Sequence, residues 1–211
     1  AEGILSSLYR NHCFTEKSAT EPFYEYHTLF REFLISRAER EFPPAELFKI
    51  KQNGAMLLES SGQTDEAVTL FIEAGDWAGA ARLILNHAPT LIAQGRGQTL
   101  TGWLASLPEE IKDKNPWLLY WQGVCYMLVN PDQSRTCFQS AFSLFNNMED
   151  KAGIFLAWCG VVNTIFHTFR DFSQLDPWIA LLDKIRTRHP VFPSEDIEAR
   201  VTYTIFEVLL F

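Results

Sequence analysis

The sequence predicts an all-α fold of short stacked helices, preceded by a small N-terminal segment with one β-hairpin. Two observations support this prediction. From Pro43 onward, apolar residues recur with the period of about 3.6 residues that marks amphipathic helices. This period is interrupted repeatedly by helix-capping residues and by helix-ending glycines. Such interruptions are typical of proteins built from stacked helical repeats. We therefore expect residues 43–211 to form a helical-repeat superhelix.

The segment SSGQTDEAVTLFIEAGDWAGAARLI contains one short pattern twice. Gly62 precedes a polar stretch and Ala67, and Gly75 precedes a polar stretch and Ala80. A glycine supplies the left-handed residue that closes a helix, and an alanine lets the next helix lie close to its neighbour. The repetition therefore predicts two successive helix starts in a tight stack.

Helix-start residues predict where the helices begin, because a polar cap accepts hydrogen bonds from free backbone N–H groups and proline fits the first turn. The predicted starts are Pro43-Pro44, Thr64, Asp76, Asn115-Pro116, Asn130-Pro131 and Ser194. On the helices between them, the period predicts inward-facing residues that include Ile50, Leu57 and Leu128.

The first 42 residues have a different pattern. Two short apolar-aromatic stretches, Cys13–Glu16 and Pro22–Tyr26, flank the polar sequence KSAT, which is typical of a hairpin. One helical stretch precedes the hairpin and another follows it, with Leu29 and Phe33 expected to pack inward. The order helix, hairpin, helix predicts the C-terminal part of a winged-helix domain in residues 1–42.

The charge balance excludes several partners. There are 18 Lys and Arg against 26 Asp and Glu, which gives a net charge of −8. An acidic surface repels phosphate backbones and anionic lipid, so we expect no direct contact with nucleic acid and none with membranes. The most apolar stretch, Ile154–Phe169, is shorter than the ~20 residues that span a bilayer.

The four cysteines Cys13, Cys125, Cys137 and Cys159 are isolated among apolar neighbours. This usage is typical of reduced, buried thiols and predicts a cytoplasmic protein. The chain stops within the apolar helical sequence TIFEVLLF, which suggests that it is a piece of a longer protein.

No catalytic residue and no metal site is predicted. The carboxylate pairs Glu109-Glu110, Glu149-Asp150 and Glu195-Asp196 stand at helix starts, where they interact favourably with the helix dipole. His12, Cys13 and His27 do not have the spacing of a zinc site. Because no nucleophile–base pair can be assembled either, we do not expect an enzyme.

Aromatic residues cluster at Trp117, Tyr120, Trp121 and Tyr126, on nearly all sides of one predicted helix. One interpretation is a helix buried between two layers. The other is an aromatic lining of a concave face that binds a ligand such as a sugar ring or a peptide.

The stretch YEYHTLFREFL, Tyr24–Leu34, resembles the end of the winged helix in MalT-like, LuxR-family ATP-dependent transcriptional regulators, where the string YxYHxLFRxFL precedes a helical repeat region. Further on, GDWAGAARLI, WLASLPEE and NPWLLYWQG are similar, in the same order, to the start of that family's sensor arm. The resemblance covers residues 24–129. It implies a fragment that joins the end of a winged helix to a tetratricopeptide-like sensor arm, truncated at its C-terminus.

What the resemblance implies about function concerns the longer protein. Members are signal-transduction ATPases with a nucleotide-binding domain and a helix-turn-helix, and this chain has no GxxxxGK[ST] phosphate loop. The fragment itself would hold no cofactor, whereas ATP or ADP is implied for the full-length protein. Its partners would be an inducer, small molecule or protein, and the nucleotide-binding domain. Oligomerisation is compatible with the family.

His27 is the residue that the resemblance singles out. YHTLFREFL also resembles the Met-His-Asp motif of related nucleotide switches, whose histidine contacts the phosphates of ADP. Tyr26 stands in place of the methionine and Thr28 in place of the aspartate. From the residues alone, His27 is either an anion contact near a helix N-terminus or a capping histidine of the strand–helix junction.

An alternative function is a free-standing tetratricopeptide-like adaptor that binds a partner peptide. The sequence Gly123-Val124-Cys125-Tyr126 matches the Gly-x-x-Tyr half of that repeat. A phosphate loop upstream and a helix-turn-helix downstream would favour the regulator over the adaptor.

Overall fold

The structure is a computed structural model that describes residues 7–11, 14–17, 24–168 and 171–209. Near its start, strand β1 (Thr15–Lys17) pairs in antiparallel orientation with strand β2 (Tyr24–Tyr26). This pairing agrees with the predicted hairpin, whose connecting residues lie outside the described part of the chain. Residues 7–10 are helical, as expected of the segment before the hairpin.

Helices make up almost all of the described chain after the hairpin. They are α1 (Thr28–Glu41), α2 (Pro44–Ser60), α3 (Thr64–Ala74), α4 (Trp77–Ala93), α5 (Gly97–Ala105), α6 (Glu109–Lys112), α7 (Pro116–Tyr126), α8 (Pro131–Met148), α9 (Lys151–Thr168), α10 (Asp176–Arg188) and α11 (Glu195–Leu209). A 3₁₀ turn, Phe172–Leu175, precedes α10. The prediction of an almost wholly helical chain is confirmed for the described residues.

Most of the predicted helix starts are confirmed by hydrogen bonds. The side chain of Asp76 accepts from the backbone N–H of Gly79 at 3.0 Å, and the Oγ of Ser194 accepts from Ile197 at 3.3 Å. Asn115 and Asn130 cap α7 and α8 in the same way. Thr64 is different: it is the first residue of α3, and Gln63 stands before it without a capping hydrogen bond. Two carboxylates in the first turn of α3 interact with its dipole instead.

The twice-repeated pattern is confirmed as two successive helix starts. Gly62 and Gly75 have positive φ values of 80° and 74°. Ala67 and Ala80 are fully buried, and α2, α3 and α4 pack on one another in chain order. The backbone therefore turns at each glycine, and each alanine lies at a helix contact.

Two hydrophobic cores lie one after the other along the chain. The first joins α2 to α5 with the beginning of α7 and contains mainly alanine and leucine. The second joins α7 to α11 and contains large aromatic rings, among them Phe138, Phe145 and Trp158. Trp121 packs against both cores, so α7 is the element that joins them.

The predicted inward faces are wrong in three places. On α2, Ile50 and Leu57 are half or more exposed, and Ala55 is the buried residue of this helix instead. On α1, Leu29 and Phe33 are exposed. Leu128 is exposed because α7 ends at Tyr126, two residues before it.

Candidate functional site

A groove of about 640 Å³ opens between α4, α7, α9 and α11. Its walls include Ile92 from α4, Trp121 and Val124 from α7, Leu156 from α9 and Tyr203 from α11. Ligand sites in proteins are typically apolar concavities of roughly 300–1,000 Å³ with a few polar groups that orient the ligand. The size and composition of this groove fit that description.

The floor of the groove is set by one aromatic ring held between two glycines. Phe138 of α8 is fully buried and contacts Gly123 of α7 and Gly160 of α9. A Cβ atom at Gly123 would lie 2.9 Å from that ring, and one at Gly160 would lie 2.5 Å from it. These distances are too short for any larger residue without a shift. The two glycines therefore bring α7 and α9 onto the same ring, and the groove forms beside it.

A hydrogen bond links the two ends of the second core across the groove. The Nη1 of Arg200 on α11 donates to the hydroxyl of Tyr120 on α7 at 3.0 Å. Tyr120 is 4% exposed, and this burial raises the pKa of its phenol, an effect that the nearby Arg200 charge partly offsets. The phenol is therefore a neutral hydroxyl at physiological pH, and the bond fixes the position of the guanidinium.

Arg200 is exposed and has no counter-ion among the described residues. No described carboxylate forms an ion pair with it, and no other charged side chain is found among the described residues that line the groove. The half-buried Asn163 of α9 also lines the groove, and its amide has no hydrogen-bond partner among the described side chains and backbone. One cation and one amide therefore face a space whose other lining residues are mainly apolar or aromatic.

The thiol in the groove is not suited to nucleophilic chemistry. Burial raises the pKa of Cys159 to about 11, so the thiol stays protonated at neutral pH, and the protonated form is a poor nucleophile. The fully buried Thr204 lies beside it, and the Thr204 hydroxyl has no oxygen or nitrogen partner among the described residues. The groove can therefore bind a ligand but offers no activated thiolate.

The four aromatic residues predicted as a ligand lining are separated by the structure. Tyr120 and Trp121 line the groove, with their rings edge to face at 5.2 Å. Trp117 lies elsewhere: its Nε1 donates to Asp150 at 3.1 Å, and its ring packs on Phe145. Tyr126, half-buried and outside the groove lining, has its hydroxyl near the amide of Gln122 on the same helix.

His27 lies at the junction between β2 and α1, as the sequence predicts. Its backbone N–H donates to the carbonyl of Phe14 at 2.8 Å, and its own carbonyl accepts from Arg31 at 2.9 Å. The imidazole is exposed and forms no capping hydrogen bond. A contact with nucleotide phosphates remains a prediction. His12 and Cys13 lie outside the described residues, and the described ones contain no cluster that could hold a metal ion.

Arg200, Tyr203 and Asn163 line the groove, although no sequence pattern singled them out as site residues. A signal was present for two of them: Ile197, Val201 and Thr204 form the buried stripe of α11, which places Arg200 and Tyr203 at its edge. The stripe does not show that α11 contacts α7. Arg200 and its partner Tyr120 are 80 residues apart in the chain.

Burial also raises the pKa of the other two described cysteines, Cys137 and Cys125. The pKa of Cys137 rises to about 11. All three described cysteines are free thiols; Cys137 and Cys159 are buried as predicted, Cys125 is half-buried, and Cys13 is outside the described residues.

Among the described helices, none has the length and hydropathy that crossing a bilayer requires. Comparison with known proteins adds no assignment: no protein-family model, no curated protein and no solved structure matches this chain. The family, the compartment and the partners therefore remain predictions from the sequence.

Proposed function

We propose that this chain is the sensor arm of an ATP-dependent, LuxR-family transcription regulator, and that the groove beside Trp121 binds its inducer. The groove is the observation on which the proposal depends. It is lined by α4, which belongs to the first core, and by α9 and α11, which belong to the second. A ligand in it would therefore contact both halves of the arm at once.

The proposed mechanism is a shift between two arrangements of the arm. In the described part of the chain, Trp121 of α7 packs against both cores. A ligand that fits the groove in one arrangement and not in the other favours the first by its difference in affinity for the two. In the full-length protein, that arrangement would release the ATPase domain from its inactive state. Binding by the arm is non-covalent and involves no turnover.

The gene locus provides the first test. If the proposal is right, the reading frame continues upstream into a GxxxxGK[ST] phosphate loop and downstream into a helix-turn-helix. Sequencing the locus on both sides measures this directly. A reading frame that contains neither element would contradict the regulator proposal.

His27 provides a second test in the full-length protein. Loss of a phosphate contact should weaken ADP binding by about 1.5–3 kcal/mol. Because ADP favours the inactive state, the His27→Ala variant should also show more transcription without inducer. ADP affinity and basal transcription measure the two effects. If both equal those of the wild type, His27 is a structural junction residue only.

A tetratricopeptide-like adaptor is the second candidate, and the α7–α8 pair favours it. Gly123 contacts the ring of Phe138, and the backbone carbonyl of Gly123 accepts a hydrogen bond from the Ser134 hydroxyl at 2.7 Å. This tight pairing of consecutive helices through a glycine fits the repeat pattern that includes Tyr126. The adaptor would bind a peptide in the same groove, and a locus without a phosphate loop would favour it.

A further inference from the structure

We infer that the groove takes a small molecule with a single carboxylate and an aromatic or apolar body, and that Arg200 binds the carboxylate. This inference rests on the proposed ligand-binding role of the groove and specifies the chemical class of the ligand.

The charge distribution determines which group the ligand must carry. The chain has a net charge of −8, yet the charged side chain facing the groove among its described lining residues is a cation, Arg200. The contact to Tyr120 uses one nitrogen of the guanidinium. The remaining N–H groups form a planar fork that matches the two oxygens of a carboxylate. A carboxylate there would supply the counter-ion that Arg200 lacks among the described residues.

The surrounding surface determines the rest of the ligand. Trp121 and Tyr203 present aromatic surface, and Val124 and Leu156 present aliphatic surface, to the same space. Tyr203 is 61% exposed, so its ring is accessible to a molecule in the groove. The ring of a flat ligand can lie on these side chains while the Asn163 amide contacts a polar substituent.

The number of cations limits the charge of the ligand. A dianion or a phosphate chain needs more than one positive partner to offset its desolvation, and the described lining provides only Arg200. An acidic peptide would also be repelled by the net negative charge of the chain. A compact monoanion avoids both costs, and the volume of about 640 Å³ accommodates it.

Naphthoate and naphthamide form a matched pair of probes, because they share the ring system and differ in the charge of one group. Isothermal titration of each probe into the chain should show that naphthoate binds about tenfold more tightly than the neutral amide, as expected for one charge-assisted hydrogen-bonded pair. Arg200→Met should remove this preference, because methionine keeps an apolar side chain without the charge. Arg200→Lys should keep part of it.

Two further variants separate the site from general effects. Arg186→Met removes an exposed arginine of α10 that packs over Phe192, outside the groove lining, and should leave the preference unchanged. Tyr120→Phe removes the hydroxyl that positions Arg200 and should reduce the preference without abolishing it. Circular dichroism confirms that each variant is folded.

The inference is overturned if the wild-type chain binds the two probes equally, if it binds neither, or if Arg200→Met retains the preference for naphthoate. If the two probes bind equally and Trp121→Ala abolishes this binding, the groove is a ligand site but the inferred preference for a carboxylate is wrong. The locus test of the regulator is independent of all these outcomes.

Discussion

The two cores of this protein fill the space between their helices in opposite ways. In the first core, Ala67, Ala80 and Ala88 are fully buried at helix contacts. In the second core, aromatic rings occupy the helix contacts and glycines lie opposite them. A Cβ atom at Gly153 would be 2.2 Å from the ring of Phe145.

The difference shows that helices can pack closely in two ways, and that these two ways respond differently to side-chain substitutions. Alanine contacts bring two backbones together directly, so replacing the alanine by a larger residue is destabilising. A contact between a ring and a glycine depends on both partners. Stability is therefore lost when the glycine is enlarged or when the ring is truncated. The contact of Gly79 with Phe71 shows that the first core also uses the second solution at one of its contacts.

The ligand groove belongs to the second kind of packing. Its floor is Phe138, which α7 and α9 reach through Gly123 and Gly160. The ring keeps these helices at a distance that leaves room beside it.

Phe138→Ala should have the largest effect and would break the second core. It removes a fully buried ring that contacts two glycines and Tyr120, with an expected loss of about 3–5 kcal/mol in unfolding free energy. Urea denaturation measures the loss. A loss below 1 kcal/mol would mean that the helices of the second core do not depend on this ring.

Gly153→Ala should cost about 2–3 kcal/mol, because the new methyl group overlaps the fully buried ring of Phe145. Gly102→Ala is the matched control. Gly102 lies in α5, is exposed, and has nothing within 4 Å of an added Cβ. The control should gain about 0.5–1 kcal/mol from helix propensity. If both substitutions stabilise the protein, the glycine–ring contact is not required.

Ala80→Leu should cost about 1–3 kcal/mol through overpacking of an alanine contact in the first core. Ala78→Leu, on the exposed side of the same helix α4, should change stability by less than about 0.5 kcal/mol. Thermal or urea unfolding compares the two. Equal stability of both variants and the wild type would contradict the close contact at Ala80.

Glu59→Gln should have the smallest effect, because it removes an exposed ion pair at the surface of the first core. Arg82 donates to both carboxylate oxygens of Glu59, at 2.7 and 2.6 Å. Exposed pairs of this kind contribute about 0.2–1 kcal/mol at neutral pH. The hydrogen bond from Arg82 lowers the pKa of Glu59, so the stabilisation is present above the ordinary glutamate pKa and is lost as the pH falls through the lowered value.

The measurement is the difference in unfolding free energy between wild type and Glu59→Gln, taken at neutral pH and at about pH 3. This difference should decrease in acid. Glu32→Gln, an exposed position on α1 without an ion pair among the described residues, is the control and should show no such change. A difference that grows in acid would contradict the assigned sign.

Local signals were sufficient to predict the helices. Gly75, Asp76 and Asn115 mark helix ends through backbone conformation and short-range hydrogen bonds, and these depend only on neighbours in the chain. The buried alanines of the repeated pattern were predicted for the same reason. The predicted faces of α1 and α2 were wrong because the apolar period shows which residues can pack, and not which of them find a partner.

The candidate site was predicted only in part. The aromatic cluster on α7 is visible in the sequence, and Tyr120 and Trp121 do line the groove. Trp117 and Tyr126 belong to the same cluster, yet their partners are Asp150 and Gln122. One helix carries all four residues, and only the positions of its neighbours decide which of them face open space.

The sequence by itself determined that this protein is helical, where most of its helices begin and end, and that its surface is acidic. These properties follow from local backbone preferences and from composition. Only the tertiary structure decided that Arg200 meets Tyr120 and that the two halves share a groove at Trp121. Such contacts join residues far apart in the chain, and they depend on ring volumes and glycine positions in the second core, which no local pattern encodes.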